Sequence, residues 1–490
     1  MDKKADFSEW YRHTLIEGNF IRYHNVSGCY VLLPNSFCIW ERIQGFLDME
    51  FKKRGVKNAY FPMFLAQSDL YKEKDHLEGF TPEVAWVTCY GDIQDKENLS
   101  HMEEPVAIRP TSETIMYPVF KDILTSHHDL PYKINQWCNV VRWEFKDPTP
   151  FIRSREFLWN EGHTVYSTQA EADFEVNDII TLYKRVYEEL LAVPAIKGTK
   201  TESEKFPGGE FTKTVECFVE ETGKAIQGAT SHSLGQKFSK IFNILVQNNN
   251  GINVHPWQNS WGLTTRSIGT MLMVHGDNKG CVLPPLVAQE QIVIVPVIFK
   301  KQKEETLKYI DQIYNSIKSN FRVKYDVSKH NPGWKYNYWE LRGVPLRLEI
   351  GPKDMENNTV MIYRRDTDSK ETYDVNTTDL NTLLGELLVT VQTDMFNSAQ
   401  ARLMNNIHWC SSVETMDNHI KNKKIIYTYW CGKESCEETV KNKTGAKSLC
   451  IPDDDLLDQG INIDNKETVN TICIVCKEES NIKCLFGKSF

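Results

Sequence analysis

The most informative segment of this sequence is Asn135-Gln136-Trp137-Cys138-Asn139-Val140-Val141-Arg142-Trp143-Glu144-Phe145. Its aromatic and β-branched residues predict a strand, and the two-residue alternation of a strand places Arg142 and Glu144 on one face. A loop with two prolines follows, and residues 151–159 return as the partner strand. The segment therefore predicts a hairpin with Arg142 and Glu144 on one arm and Arg153 and Arg155 on the other.

A hairpin with this composition can hold a nucleotide without a glycine-rich loop. A guanidinium is always charged and offers a planar fork of donors that matches phosphate oxygens. The usual phosphate-binding loops are missing: there is no Gly-x-Gly-x-x-Gly, and Gly487-Lys488-Ser489 lacks the earlier glycine because Ile482 stands there. A cross-strand salt bridge between Glu144 and Arg142 or Arg153 is the purely structural alternative.

Three further segments place hydroxyl, carboxylate, imidazole or guanidinium groups where a site could form: Arg109-Pro110-Thr111-Ser112-Glu113-Thr114, Asn160-Glu161-Gly162-His163 and Gly262-Leu263-Thr264-Thr265-Arg266. Each has a structural alternative. Thr111 could be a helix N-cap, His163 a surface histidine and Arg266 a cation at a helix end. Their occurrence in order around the hairpin favours a nucleotide-binding site.

Length and composition limit the class of protein. A chain of 490 residues with 25% charged and 41% hydrophobic residues predicts two to four globular domains and excludes a fibrous or disordered protein. The longest apolar run, residues 292–299, is too short for a bilayer-spanning helix, and the start lacks the apolar core of a signal peptide. We therefore expect no membrane contact and a cytoplasmic location. The net charge of −9 argues against a protein that coats nucleic acid, but leaves room for a local basic patch.

Three compositional blocks predict three domains. The first, residues 1–285, ends at a proline pair and is rich in Trp, Arg and Glu. The second, residues 286–395, opens with a buried-strand run and continues with a helix and further strands, which indicates a small α/β domain. The third, residues 396–490, is rich in Lys and Cys.

Several motifs resemble class II aminoacyl-tRNA synthetases. Motif 1 is matched by Gly55-Val56-Lys57-Asn58-Ala59-Tyr60-Phe61-Pro62. Motif 2 is matched by Arg142-Trp143-Glu144 together with Arg153 to Phe157, and motif 3 by Gly262-Leu263-Thr264-Thr265-Arg266. Within that class, the chain resembles the prolyl-tRNA synthetase family of eukaryotic and archaeal type over residues 109–114, 159–163, 228–232 and 445–452. The similarity covers nearly the whole chain.

The resemblance implies an α/β (α+β) fold and a division of labour between the domains. Residues 1–285 would form the class II catalytic domain with its antiparallel sheet, and residues 286–395 an α/β anticodon-binding domain. Residues 396–490 would form a small zinc-binding-like α/β domain. Proline would be activated with ATP to prolyl-adenylate, releasing pyrophosphate, and the prolyl group would pass to tRNA(Pro).

The resemblance also implies roles for site residues. Arg142 and Arg266 would be catalytic, Arg142 binding both the α-phosphate and the carboxylate of proline, and Gln227 would lie close to a Mg²⁺ ion that accompanies ATP. ATP would be bound by Arg142, Glu144, Arg153, Ser154, Gln227, Thr230, Thr264 and Arg266. Proline would be bound by Thr111, Glu113, Arg142, Trp159, Glu161, His163 and His232.

Partner contacts follow from the same resemblance. Glu340, Arg347 and Lys353 would read the anticodon through base edges, although a weak positive bias of this kind is often only a solvated surface. The motif 1 helix and strand would supply the interface of a homodimer.

The cysteines of the third block indicate a metal site. Seven of the thirteen cysteines lie after residue 400. Two pairs among them, Cys431 with Cys436 and Cys473 with Cys476, suit a closed tetrahedral zinc site of structural role. Scattered reduced cysteines are the alternative, and Cys450 or Cys484 could replace one of the four.

Two other functions are alternatives to proline activation. A catalytically silent synthetase-like module that binds tRNA for regulation would be favoured by loss of the motif arginines, yet Arg142, Arg153 and Arg266 are all present. A sister class II enzyme, such as one for threonine, would require a catalytic zinc site in the core. The predicted pocket residues give no sign of such a zinc site.

Overall fold

The computed structural model describes residues 1–74, 84–95, 98–143, 147–299, 302–463 and 469–490. Among these residues, no helix combines the length and the apolar character needed to cross a membrane. The described helices and strands pack around several hydrophobic cores. The largest of these cores lies in the first block of the chain.

The first block carries a long antiparallel sheet with helices packed on it. Its helices are α1 (Phe7–Glu17), α2 (Pro34–Lys53), α3 (Gln67–Lys74), α4 (Glu113–Ile123), α5 (Gln169–Arg185), α6 (Lys237–Ile241) and α7 (Arg266–His275). Its strands are β1 (Ile21–Tyr23), β2 (Tyr30–Leu32), β3 (Lys57–Asn58), β4 (Phe64–Ala66), β5 (Trp86–Tyr90), β6 (Ser100–Ile108), β7 (Tyr132–Val141), β8 (Glu156–Tyr166), β9 (Ile196–Thr199), β10 (Phe211–Val219), β11 (Lys224–Gly235), β12 (Val246–Gln247), β13 (Asn253–Val254) and β14 (Trp257–Thr264).

The second block is an α/β unit with a five-stranded sheet in the order β16-β15-β17-β18-β19. Its strands are β15 (Ile292–Pro296), β16 (Val323–Tyr325), β17 (Leu346–Ile350), β18 (Thr359–Arg364) and β19 (Ser369–Asp374). Its helices are α8 (Lys303–Ile317), α9 (Pro332–Leu341), α10 (Pro352–Asn357) and α11 (Leu380–Asn405). Strands β15 and β17 are buried throughout, because helices cover both faces of the parallel part of the sheet.

The third block extends the sheet of the first block. It comprises β20 (Ile407–Trp409), α12 (Val413–Lys421), β21 (Ile425–Tyr429), α13 (Glu434–Thr444), β22 (Lys447–Pro452), β23 (Asn462–Ile463) and β24 (Lys483–Ser489). Strand β22 pairs with β9, so that one sheet of twelve described strands runs β23-β20-β21-β24-β22-β9-β10-β11-β14-β8-β7-β3. The first and third blocks therefore share one continuous β-sheet.

The predicted hairpin is present, but its strands are shifted away from the turn: residues 132–141 and 156–166 form the strands instead of the predicted 135–145 and 151–159. Strands β7 and β8 pair antiparallel from Tyr132 opposite Val165 to Val141 opposite Glu156. Arg142 stands one residue past the end of β7, where its N–H donates to the carbonyl of Arg155 at 2.8 Å. The predicted boundary at 395–396 falls inside the continuous helix α11.

The centre of the sheet depends on one small residue. Gly162 on β8 lies directly opposite Trp261 on β14, and a Cβ at position 162 would stand 2.1 Å from a ring carbon of Trp261. Trp261 is only 2% exposed and contacts the ring of Phe51 on α2 with 4.8 Å between centroids. Close packing leaves the indole no room to move away.

Gly162→Ala should therefore destabilise the protein by about 1–3 kcal/mol or more, because the added methyl group overpacks the core. The midpoint of urea unfolding measures the loss. Gly385→Ala is the matched control, because the same change on helix α11 meets no atom within 4 Å and should stabilise by about 0.5–1 kcal/mol. A neutral Gly162→Ala would contradict this account of the packing.

Candidate active site

The hairpin opens onto a cavity of about 460 Å³. Twelve of the predicted ATP- and proline-binding residues line it: Thr111, Glu113, Arg142, Ser154, Trp159, Glu161, His163, Gln227, Thr230, His232, Thr264 and Arg266. Arg153 is exposed and does not line the cavity, and Glu144 lies outside the described residues. Residues of the loops around 110, 151 and 204–207, and of strands β8, β10, β11 and β14, complete the wall.

Arg142 is held against aromatic rings. Its Nε donates to the carbonyl of Pro110 at 3.1 Å, and its guanidinium lies 5.4 Å from the ring centre of Phe157 and 5.6 Å from that of Trp159. Contacts of this kind orient a guanidinium while leaving it in contact with the cavity. The side chain is therefore positioned before any ligand enters.

Arg266 begins helix α7 and also lines the cavity. Its Nε donates to the carbonyl of Ile152 at 3.1 Å and its Nη1 to the carbonyl of Gln227 at 3.2 Å. Burial lowers the pKa of Arg266, and the nearby positive charges of Arg142 and Arg153 lower it further. Like charges crowded in a partly desolvated cavity form a binding site for a polyanion.

A buried hydrogen-bond network occupies the opposite end of the cavity. Glu161 accepts from the N–H of Ser112 at 2.9 Å and from its hydroxyl at 2.6 Å. Glu161 also pairs with Nε2 of His163 at 3.0 Å, and Nδ1 of His163 lies 2.9 Å from the hydroxyl of Tyr117. Gln136 donates to the Ser112 hydroxyl at 2.9 Å. A fully satisfied network of this kind holds its members in one geometry.

Charges in this network shift pKa values in opposite directions. Burial acts to raise the pKa of Glu161, but the hydrogen bond and charge of His163 outweigh it and lower that pKa. Burial acts to lower the pKa of His163, but the hydrogen bond and charge of Glu161 outweigh it and raise that pKa. Burial raises the pKa of Glu113, whose carboxylate accepts from the hydroxyl of Thr111. A cation placed beside Glu113 would restore its charged form.

His232 forms a separate wall. Its Nδ1 lies 2.9 Å from the hydroxyl of Thr212, and its ring contacts that of Phe206 with 4.8 Å between centroids. Burial, with a smaller effect of the charge on His163, lowers the pKa of His232 to about 3. The imidazole is therefore neutral near pH 7 and can shape an apolar wall.

The sequence prediction missed three members of the network: Ser112, Tyr117 and Gln136. Gln136 was detectable, because the alternation that selects Arg142 on β7 places position 136 on the same face. Ser112 was quoted within a motif but not assigned. Tyr117 carries no motif signal, since only the approach of α4 to β8 brings it to His163.

The four predicted cysteines come together. The Sγ atoms of Cys431, Cys436, Cys473 and Cys476 lie within 4.8 Å of one another, with Cys431 3.6 Å from Cys436 and 3.7 Å from Cys476. Zn–S bonds of about 2.3 Å in a tetrahedron require similar spacings. The donor set therefore fits a zinc ion.

One thiol of this cluster is poised to ionise. Burial opposes the thiolate of Cys473, but backbone N–H groups of Cys476 and Val475 lower its pKa to about 7. Cys450 and Cys484 are buried elsewhere, in the cores of the C-terminal sheet. The structure therefore favours Cys431, Cys436, Cys473 and Cys476 as the four ligands, rather than a set that includes Cys450 or Cys484.

A second group of ligand atoms lies in the cavity. Glu113, Glu161 and His163 offer atoms within 4.8 Å of one another. The imidazole already pairs with Glu161, and Thr111 donates to Glu113. We interpret this group as a carboxylate pocket for an ammonium group rather than as a metal centre.

The predicted anticodon residues are unequal in access. Arg347 is only 3% exposed. Its guanidinium donates to Glu340 at 2.9 Å and to Glu349 at 2.9 and 3.0 Å. The guanidinium also lies between the rings of Tyr336 and Tyr363. Lys353, by contrast, is exposed at the start of α10. Arg347 is thus built into the fold of this block.

The Glu161–His163 pair predicts a pH-dependent stability. A raised pKa of His163 stabilises the folded state below the ordinary value of 6.5, and this stabilisation is lost as the pH rises through the folded-state pKa. Glu161→Gln should therefore lower the free energy of unfolding by about 1–3 kcal/mol more at pH 6 than at pH 9. Urea denaturation at both pH values measures the difference.

Glu189→Gln is the control for that experiment. It breaks the exposed pair with Arg185, which contains no histidine, so its small effect should be the same at both values. Equal losses at pH 6 and pH 9 for Glu161→Gln would mean that no charged pair exists.

Family models match three parts of the chain. Residues 96–275 match the tRNA synthetase class II core domain (G, H, P, S and T), residues 291–386 an anticodon binding domain, and residues 413–490 the C-terminal domain of prolyl-tRNA synthetase. The predicted fold class is confirmed by these matches.

Relatives and solved structures agree with the models. The cytoplasmic proline–tRNA ligase of Arabidopsis thaliana is 48% identical over 92% of this chain and 85% of its own, and the proline–tRNA ligase of Encephalitozoon cuniculi is 42% identical over 100% and 98%. The crystal structure of prolyl-tRNA synthetase from Cryptosporidium parvum with L-proline and AMP has a TM-score of 0.91 and 44% identity, covering 100% of this chain and 96% of that one. The chain therefore belongs to the prolyl-tRNA synthetase family, whose activity is the ATP-dependent ligation of proline to tRNA.

Proposed function

We propose that the cavity binds ATP at its arginine-lined side and proline at its carboxylate-lined side. The observation that supports this division is the grouping of charge: the charges of Arg142 and Arg153 act on Arg266, whereas those of His163 and Glu161 act on Glu113. Proline is a zwitterion and ATP a polyanion, so each ligand meets charge of the opposite sign. The neighbouring Cryptosporidium parvum structures, named for complexes with L-proline and AMP and with AMPPNP, support the same assignment.

On the ATP side, Arg142 and Arg266 would be catalytic. Arg142 would bind the α-phosphate, where charge increases as the carboxylate of proline attacks, and Arg266 would hold the β- and γ-phosphates. Both groups are already positioned by carbonyl acceptors, so little reorganisation is needed during reaction. Arg153 would close over the phosphates from the mouth of the cavity. The remaining ATP contacts are proposed for Glu144, Ser154, Gln227, Thr230 and Thr264.

A Mg²⁺ ion would enter with ATP and neutralise part of the phosphate charge. Its preferred ligands are oxygens, and the amide oxygen of Gln227 in the cavity wall is suited to contact it. The protein residues would bind and orient the triphosphate around it.

On the proline side, Glu113 and Thr111 would take the secondary ammonium. Glu161 and His163 would hold this end in shape, and Trp159 and His232 would form the walls. A pocket built around a five-membered ring excludes larger side chains by overlap. It rejects smaller ones weakly, because a missing methylene is worth only about 1–3 kcal/mol.

The α/β unit would read the anticodon of tRNA(Pro). Glu340 and Lys353 are proposed to contact base edges, since a carboxylate accepts from amino groups and an ammonium donates to guanine O6 and N7. Arg347, with both carboxylates on its guanidinium, would hold Glu340 in place. The domains are proposed to be residues 1–285, 286–395 and 396–490, with α11 as the connecting helix.

A homodimer and a cytoplasmic location are also proposed. The motif 1 helix α2 and the segment after it expose apolar side chains, including Met49 at 49%, Tyr60 at 72% and Phe64 at 52%. Such a patch is typical of a covered interface. The cytoplasmic relative of Arabidopsis thaliana supports the location.

Exchange of pyrophosphate into ATP tests the proposed function. With each of the twenty amino acids in turn, exchange should be fastest with proline, and alanine and cysteine should react slowly. Arg266→Lys should lower kcat/KM for this exchange by about 10²–10³, because it removes the planar guanidinium that would hold the β- and γ-phosphates.

Arg155→Lys is the matched control, because Arg155 belongs to the same hairpin but its side chain contacts the carbonyl of Ser27 and the ring of Trp143, outside the cavity. Its kcat/KM should change by less than about threefold. Exchange driven by threonine rather than proline would favour the sister enzyme. No exchange with any amino acid would favour the silent tRNA-binding module.

Zinc content tests the cysteine cluster. The purified protein should carry one zinc ion per chain by elemental analysis, and Cys473→Ser should remove it because a closed site needs all four thiolates. Cys217→Ser, a buried cysteine of the catalytic core, is the control and should retain the metal. Zinc that persists in Cys473→Ser would point to Glu113, Glu161 and His163 instead.

A further inference from the structure

A polar contact joins the C-terminal block to the wall of the cavity. Glu437, in the first turn of α13, is 7% exposed and lies next to Cys436 in the chain. Three hydroxyl groups donate to its Oε1: Thr201 at 3.1 Å, Ser203 at 2.7 Å, and Ser448. Two of these donors belong to the catalytic block, 236 and 234 residues away in the chain.

Thr201 begins a segment that borders the cavity, residues 201–210. Glu204, Lys205, Phe206 and Pro207 of this 201–210 segment line the cavity. The carbonyl of Thr201 accepts from the N–H of Lys205 at 2.9 Å, so the position of Thr201 sets that of the lining residues.

The same segment reaches the proposed proline wall. Phe206 lies against the ring of His232, and its N–H donates to the hydroxyl of Thr212 at 3.0 Å. That hydroxyl also contacts His232. A second tie to the C-terminal block, from Lys447 to Glu204 at 2.8 Å, is more exposed and contributes less.

We propose that Glu437 is a positioning residue for proline: by accepting from Thr201 and Ser203 it fixes the 201–210 segment against His232. The inference rests on the proposed assignment of this end of the cavity to proline. A buried carboxylate that accepts several hydrogen bonds is a rigid anchor, because releasing it would leave the donors unsatisfied. The C-terminal block thereby contributes to the amino-acid pocket without lining it.

Other contacts hold the blocks together when this one is removed. Strand β22 pairs with β9, strand β24 pairs with β11, and Lys200 bridges Glu216 and the carbonyl of Leu449 at 2.7 Å each. Loss of the Glu437 carboxylate should therefore release the segment without detaching the C-terminal block.

The test is the steady-state kinetics of proline-dependent pyrophosphate exchange. Glu437→Ala should raise the KM for proline about tenfold, with kcat and the KM for ATP changed by less than about twofold. Glu437→Gln keeps an acceptor oxygen and should retain a KM within about threefold. If Glu437→Ala does not fold, Thr201→Val provides a second test. It removes one of the hydroxyl donors to Glu437 and should reproduce part of the rise in the KM for proline.

Val440→Ala is the matched control, because Val440 is fully buried on the same helix and has no polar group to contact the segment. It should destabilise α13 but leave the KM for proline unchanged. Hydrogen–deuterium exchange over residues 201–210 should accelerate in Glu437→Ala and not in Val440→Ala.

The proposal is overturned if Glu437→Ala leaves the KM for proline unchanged, or if Val440→Ala raises it equally. An equal rise in the KM for ATP would also overturn it. Glu113→Gln, measured in parallel, tests the pocket itself: an unchanged KM for proline in that variant refutes the proline assignment. The exchange rates of residues 201–210 then decide separately whether Glu437 anchors the segment.

Discussion

The burial of positive charge in one cavity is the constraint around which the site is built. Burial lowers the pKa of Arg266 most, and repulsion by Arg142 and Arg153 lowers it further. Carbonyl acceptors and aromatic rings keep Arg142 and Arg266 in place against that repulsion. Folding energy thus maintains a concentrated positive charge, which the proposed binding of a triphosphate would relieve. The long antiparallel sheet supplies the rigidity that this arrangement requires.

The opposite end of the cavity uses the reverse arrangement. Glu161 and His163 satisfy each other, with Ser112 and Tyr117 on their outer atoms. Glu113 is left as a buried carboxylate of raised pKa, with the hydroxyl of Thr111 as its donor. An incoming ammonium gains most at such a group, because it restores a charge that burial disfavours.

The third block is joined to the first block by its strands and its side chains. Its strands continue the catalytic sheet, and Glu437 contacts the segment that borders the cavity. One member of the cysteine cluster, Cys436, directly precedes Glu437 on the same helix. Structural and catalytic parts of the chain are therefore linked by hydrogen bonds over a few ångströms, although they are more than 200 residues apart in sequence.

The sequence alone determined the local features of this protein. Alternation predicted the β7–β8 hairpin, the apolar run that opens the second block predicted the buried strand β15, and the motif residues predicted twelve side chains of the cavity, because each signal depends on neighbours in the chain. Tertiary structure decided what lies far apart in sequence: the place of Gln136 beside Glu161, the enclosure of Arg347, and the anchoring of Thr201 by Glu437. No periodicity or spacing encodes such contacts, since they form only when sheets and helices pack against each other.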